Sequence, residues 1–206
     1  KNVAKWLKPD IAVLTKVGSV PVHVEFFPSI ESLLLEKFQL PKALKKNGVF
    51  VFSNDDIAIK SLAPAIERKQ FTFAIDNNAD LTAKDESILY EERDGLKFPI
   101  GISFNLNLNN TNHTVKLEGV IGKQHIYPIL GAVSVAIQKN IPIENIINNI
   151  SKHIPPRGRM NIIKGINDST IIDDTYNSSP DALHEAINTI KKIETTGRKI
   201  LVIGDM

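Results

Sequence analysis

The chain contains no cysteine, which excludes a disulfide framework and any zinc site built on thiolates, and fits a cytoplasmic location. No apolar run is long enough to span a bilayer and no signal-peptide pattern heads the chain, so membrane insertion is not expected. The 25 Lys and Arg against 23 Asp and Glu leave a formal charge of +2 with no concentrated basic patch, which argues against nucleic acid as a partner. Internal repeats and low-complexity tracts are missing too. So is any Gly-x-x-x-x-Gly-Lys-Ser/Thr segment, the loop whose backbone amides cradle nucleotide phosphates.

What is present is ordinary for a folded protein: 206 residues, 42% hydrophobic and 23% charged, enough for one large or two small domains with real cores. The chain starts at Lys1 and breaks off just after an apolar run, and is expected to be a fragment. Its organising stretch spans residues 155–183. Ser169-Thr170-Ile171-Ile172 reads as a short buried strand whose continuation into a dry sheet is stopped by Asp173-Asp174. After Thr175-Tyr176-Asn177-Ser178, Ser179 is suited to cap a helix with Pro180 in its first turn and Asp181 at the positive end of its dipole. Ala182, Leu183, Ala186, Ile187, Ile190 and Ile193 share one face, and Lys199-Ile200-Leu201-Val202-Ile203 reads as a second strand. The pattern predicts a β-α-β unit, and ligands of open α/β sheets bind where such strands end.

Upstream, residues 2–7 end a helix and Ile11-Ala12-Val13-Leu14 is a buried strand leading into the turn Thr15-Lys16-Val17-Gly18. Ser29 caps a helix with Ile30, Leu33, Leu34 and Lys37 on an inward stripe. From periodicity alone Lys37 is a stem packed on the core with its ammonium reaching solvent. Val49-Phe50-Val51-Phe52 is a strand ending in Ser53-Asn54-Asp55-Asp56, whose carboxylates read as caps for the helix after them. Residues 70–118 form short strands of an antiparallel accessory sheet with a hairpin turn at Asn109-Asn110-Thr111-Asn112, and His113 is a strand residue. An apolar helix ends near Gln138, another passes through Ile146, Ile147 and Ile150, and Ile154-Pro155-Pro156 marks the domain boundary.

Three motifs then line up. Gly158-Arg159-Met160, the turn Asp173-Asp174-Thr175-Tyr176-Asn177-Ser178-Ser179-Pro180 and, one helix later, Val202-Ile203-Gly204-Asp205-Met206 resemble the start of the C-terminal domain of the Mur ligase family. Thr15 and Gly18 followed by His23, the strand end at Asn54, and the segment 122–132 resemble, in the right order, the family's central domain. Lys16 stands where the family usually has Asn, Gln124 stands for a His, and His125 and Pro128 for two Asn residues.

The resemblance implies an α/β fold: a central ATPase-type sheet with accessory antiparallel strands over residues 1–155, and the opening of a Rossmann-like C-terminal domain over 156–206. It implies an amide ligase that uses ATP and magnesium to phosphorylate a peptide carboxylate, after which an amine attacks the acyl phosphate and expels phosphate. The implied substrates are a UDP-N-acetylmuramoyl-peptide and D-alanyl-D-alanine. It assigns magnesium to His23 and to Lys37 as a carbamate, and the nucleotide to Arg159, Asp174, Tyr176 and Asn177, with closure of the two domains completing the site. In the family the phosphate loop lies upstream of the matched region. Two other readings stay open: a related amide ligase, cyanophycin-synthetase-like or folylpolyglutamate-synthase-like, and a non-catalytic binding module that kept the fold.

Overall fold

A computed structural model describes residues 2–18 and 26–205; His23 lies outside them. One six-stranded sheet carries the architecture, with β1 (Ile11–Leu14), β2 (Val49–Ser53), β3 (Lys69–Ala74), β4 (Leu81–Arg93), β5 (Leu96–Leu108) and β6 (Thr111–Glu118) side by side in chain order. The β1, β2 and β3 pairings are parallel, as is the short contact of Phe73 and Ala74 with Leu81 and Thr82; β4, β5 and β6 are antiparallel. The antiparallel strands are therefore not a separate accessory sheet. The reason is local: the Asp80 carboxylate accepts from the Thr72 amide and hydroxyl, both at 2.7 Å, and this tight return lays Leu81 beside Phe73. Beyond Thr82, β4 runs on past the end of β3 and pairs only with β5, so a long hairpin projects beyond the carboxyl edge of the parallel strands. Asn109 and Asn110, both with positive φ, make the two-residue turn joining β5 to β6.

The period of two along β2 divides the core. Phe50 and Phe52 face one side and pack with Ala12, Phe38, Leu44 and Ile59, while Val51 faces the other with Phe73, Leu81, Phe104, Ile126 and Leu130. The first side is covered by α2 (Ile30–Lys37), α3 (Gln39–Lys42) and α4 (Ile57–Leu62), the second by α5 (Ile126–Gln138) and α6 (Ile143–Ile150). α1 (Asn2–Leu7) precedes β1. The stripe expected on α2 is only partly inward. Leu33 is buried, but Ile30 and Lys37 are exposed. The helix ends at Lys37, and Phe38, 1% exposed and edge-on to Phe50 at 6.0 Å, takes the inward slot expected for the lysine.

After α6 the chain forms a strand that periodicity did not reveal, β7 (Asn161–Lys164), antiparallel to β8 (Thr170–Asp173). Asn167 and Asp168 both have positive φ in the turn between them. The expected buried strand is thus one arm of a hairpin, with Ile172 packed on the core and Ile171 exposed. α7 (Pro180–Lys192) follows, capped by the Ser179 hydroxyl accepting from Ala182 N at 3.2 Å. The β-α-β expectation fails at its last member. Residues 199–203 form no strand, and Ile200, Leu201, Val202 and Ile203 are exposed. The chain leaving α7 is drawn to the projecting hairpin, where Glu194 accepts from Lys97 at 2.6 Å and its amide donates to the Tyr90 hydroxyl at 2.8 Å. Glu194 is thus tied to β4 and β5 before residues 199–203 are reached.

The β7–β8 hairpin is joined to the large sheet through main chain. Val120 bridges Asn161, Ile162 N donates to Gly119 O at 2.9 Å, and Ile121 N donates to Met160 O at 3.1 Å. Met160 has φ +49 and is 1% exposed, with its side chain in the main core.

Candidate nucleotide and phosphate site

Two carboxylates follow β2 at the carboxyl edge of the parallel strands, and they do different work. Asp56 caps α4, accepting from Ile59 N at 2.9 Å with Oδ1, while its Oδ2 accepts from Val17 N at 2.6 Å and Gly18 N at 3.1 Å. It fastens the turn after β1 to the start of α4. Asp55, expected as a second cap, faces the other way. It accepts from the amides of Ile75, Asp76 and Asn77 at 2.6, 3.3 and 2.9 Å, from Asn77 Nδ2 at 2.9 Å and from the Tyr127 hydroxyl at 3.1 Å. Burial pushes its pKa up, but the hydrogen bonds from Ile75, Asn77 and Asp76 outweigh burial and hold the carboxyl below its ordinary value. Burial and the adjoining Asp55 charge push the Tyr127 phenol well above its ordinary range, so it remains a donor. Lys16 places its ammonium 5.9 Å from the centre of the Tyr127 ring.

A second cluster forms where the β7–β8 hairpin meets the large sheet. The Arg159 guanidinium lies 4.3 Å from the Tyr176 ring centre, and Asp174 Oδ1 accepts from Met160 N at 3.1 Å. Gly158 makes the close approach possible. Its φ is +69, its carbonyl accepts from Tyr176 N at 3.1 Å, and a Cβ there would come within 2.8 Å of that nitrogen. Beside this cluster, Gln124 Oε1 and His125 Nε2 are buried without a hydrogen-bond partner among the described residues. Burial lowers the His125 pKa, against a raising contact from the Arg159 main chain, so the imidazole is neutral near pH 7. Burial raises the Asp174 pKa, with the Met160 amide and Arg159 pulling the other way. Asn177 turns its Oδ1 onto Ser178 N at 2.9 Å, within the turn that leads to α7.

The structure thus brings Arg159, Tyr176 and Asp174 together, with Asn177 next in the chain. Lys37 ends α2 with its side chain exposed, and among the described residues no hydrogen bond or ion pair joins it to the cluster. Pro128, which stands where the family has an Asn, is exposed. Sequence reasoning missed the Asp55–Tyr127 bond and the burial of Gln124 and His125. Only the last carried a signal, as polar residues directly before an apolar helix.

The donor set fits a nucleoside: an aromatic face under a cation, a carboxylate with one oxygen uncommitted, and two buried polar atoms without partners. Among the described residues no group of three or more His, Cys, Asp or Glu could hold an ion.

Residues 1–136 match the Mur ligase middle domain and residues 158–206 match the Mur ligase, glutamate ligase domain. The chain is 28% identical to the UDP-N-acetylmuramoyl-tripeptide–D-alanyl-D-alanine ligase of Mycobacterium tuberculosis, covering 99% of this chain and 39% of that protein. It is 30% identical to a UDP-N-acetylmuramoyl-L-alanyl-D-glutamate–2,6-diaminopimelate ligase of Clostridium acetobutylicum, covering 88% and 35%. Among solved structures, the MurF ligase of Thermotoga maritima in complex with ADP superposes with a TM-score of 0.76 at 26% identity, over 94% of this chain and 42% of that one. The chain therefore spans about two fifths of the length of these relatives. With the middle-domain match alone covering well over half of its residues, this chain belongs to the Mur ligase family.

Proposed function

We propose that the whole protein is a cytoplasmic ATP-dependent ligase of peptidoglycan precursor synthesis that adds D-alanyl-D-alanine to a UDP-N-acetylmuramoyl-tripeptide. The observation that carries this is the match of 99% of this chain to 39% of a relative named for that reaction, with the Arg159, Tyr176 and Asp174 cluster where the second matched block meets the large sheet. We put the boundary of the two units at 155/156.

In this reading ATP supplies the phosphoryl group that activates the peptide carboxylate, and the chain's own residues hold and orient it. The stacked Arg159 guanidinium and Tyr176 ring together form one wall against the nucleoside, the uncommitted oxygen of Asp174 accepts from a ribose hydroxyl, and Gln124 and His125 meet the polar edge of the base. Asn177 lies on the turn leading to the phosphate end. Fixing both reactants in this way, with charge neutralised around the transferred group, is the main source of rate in phosphoryl transfer. Magnesium is assigned to His23 and to Lys37 as a carbamate by resemblance alone, and no step here is routed through it. In the whole protein Lys37→Ala should then lose most activity and regain part with added short-chain carboxylates; an active, rescue-insensitive variant returns Lys37 to a solvated helix end.

The test of the overall reaction is phosphate release by the whole protein that requires ATP, the UDP-N-acetylmuramoyl-tripeptide and D-alanyl-D-alanine together. The 30% identical diaminopimelate ligase favours one rival, the same chemistry with another amine. Release with UDP-N-acetylmuramoyl-dipeptide and diaminopimelate, and none with D-alanyl-D-alanine, would select it.

A further inference from the structure

We propose that Lys16 is a phosphate-binding residue that contacts the terminal phosphate of the bound nucleotide, an assignment that rests on the ATP-dependent reading above. The side chain follows β1 at the carboxyl edge of the parallel strands, is exposed, and has the Tyr127 ring as its neighbour. The nearby carboxylates are already engaged. Asp56 is held by Val17 N, Gly18 N and Ile59 N, and Asp55 by the amides of residues 75–77 and the Tyr127 hydroxyl. No ion pair to Lys16 occurs among the described residues. A positive charge thus stands at the sheet edge where ligands of such folds bind, in no ion pair among the described residues.

The path of the chain says which part of a nucleotide would reach it. The turn from Asp174 to Asp181 starts at the Arg159–Tyr176 cluster and ends against Gly18, two residues from Lys16: a Cβ on Gly18 would lie 3.4 Å from Asp181 Oδ2. A nucleotide lying along that turn has its nucleoside at Arg159 and Tyr176, and its phosphate end at Lys16 and the capped amino end of α7. The Asp181 carboxylate on that first turn and Asp56 Oδ2, which accepts from Gly18 N at 3.1 Å, both lie against Gly18, so a phosphate there depends on a cation beside it, and Lys16 is the one the turn after β1 supplies. An ammonium is a compact donor suited to a phosphate oxygen.

The experiment is calorimetric titration of the whole protein with a non-hydrolysable ATP analogue and with ADP, comparing wild type, Lys16→Gln and Lys16→Arg. Lys16→Gln is expected to weaken the ATP analogue by roughly tenfold or more, the factor carried by one charge-assisted hydrogen bond, and ADP far less. Lys16→Arg should recover most of the loss, and because Lys16 is exposed all three proteins should share one thermal midpoint. Equal binding of the ATP analogue by wild type and Lys16→Gln would overturn the assignment while leaving the ligase reading intact. An equal loss for ADP and the analogue would also overturn it, as would unchanged nucleotide binding with a raised KM for the UDP-N-acetylmuramoyl-peptide. A wild type that binds neither nucleotide would instead remove the reading on which the assignment rests.

Discussion

Adjacent aspartates at the end of β2 show how much a single position decides. Asp56 satisfies the start of α4 and two amides of the turn after β1 at once. Asp56→Ala should therefore cost about 1–2 kcal/mol, at the upper end for a lost cap, in denaturant unfolding. Asp55 has a folded pKa depressed below its ordinary value by the amides around it, against the pull of burial. A depressed carboxyl contributes stability that is complete above its unfolded pKa and is lost as pH falls through the folded one. Asp55→Asn should thus flatten the decline of stability with acid below about pH 4, and an unchanged acid limb would refute the role. The pair of carboxylates was legible in sequence as a helix start, and Asp56 fulfils that. Asp55 was not, because its donors lie at residues 75–77 and Tyr127, contacts that only the paired strands bring together.

Elements with strong local signals were readable from the chain. The caps at Ser29 and Ser179, the apolar run of α5 and the paired asparagines between β5 and β6 all appear where local chemistry puts them. The failures come from partners distant in sequence. Nothing local says that Phe38 displaces Lys37 from the inward stripe, or that Glu194 ties to Tyr90 and Lys97. The β7–β8 turn could have been found, since Asn167-Asp168 tolerates positive φ better than most pairs. At Asp168 a glycine relieves the left-handed backbone and a β-branched residue opposes it. Asp168→Gly should be neutral or stabilising by a few tenths of a kcal/mol, and Asp168→Val should destabilise by about 1–2 kcal/mol, measured by thermal unfolding.

At the level of the molecule, the six-stranded sheet and the β7–β8 hairpin with α7 meet along one seam, and the proposed nucleotide site lies on it. Arg159 is exposed and Asp174 half-buried, so neither holds the core. Arg159→Ala and Asp174→Ala should each weaken ADP binding by roughly tenfold, the scale of a charged hydrogen bond, and keep the circular dichroism spectrum of wild type; Arg159→Ala should also keep the unfolding midpoint, whereas Asp174→Ala should lower it, because Met160 N loses its acceptor. Wild-type affinity in either variant would move the nucleotide away from this edge. The ion pairs across the same seam are a weaker tie. Lys97 with Glu194 is more than half exposed on both sides, and Lys97→Ala should leave the thermal unfolding midpoint close to that of wild type.

Met160 gives that seam an unusual character. A residue in the connection between two units would ordinarily be the place where a protease cuts, yet this one is sealed in the core of the first unit, with its neighbours stitched to residues 119–121 by main-chain hydrogen bonds. Brief digestion of the folded protein should therefore spare residues 158–162. Nicks should fall instead in the exposed stretch 151–154 just before them, leaving a fragment that remains clamped to its former neighbour after the chain has been cut.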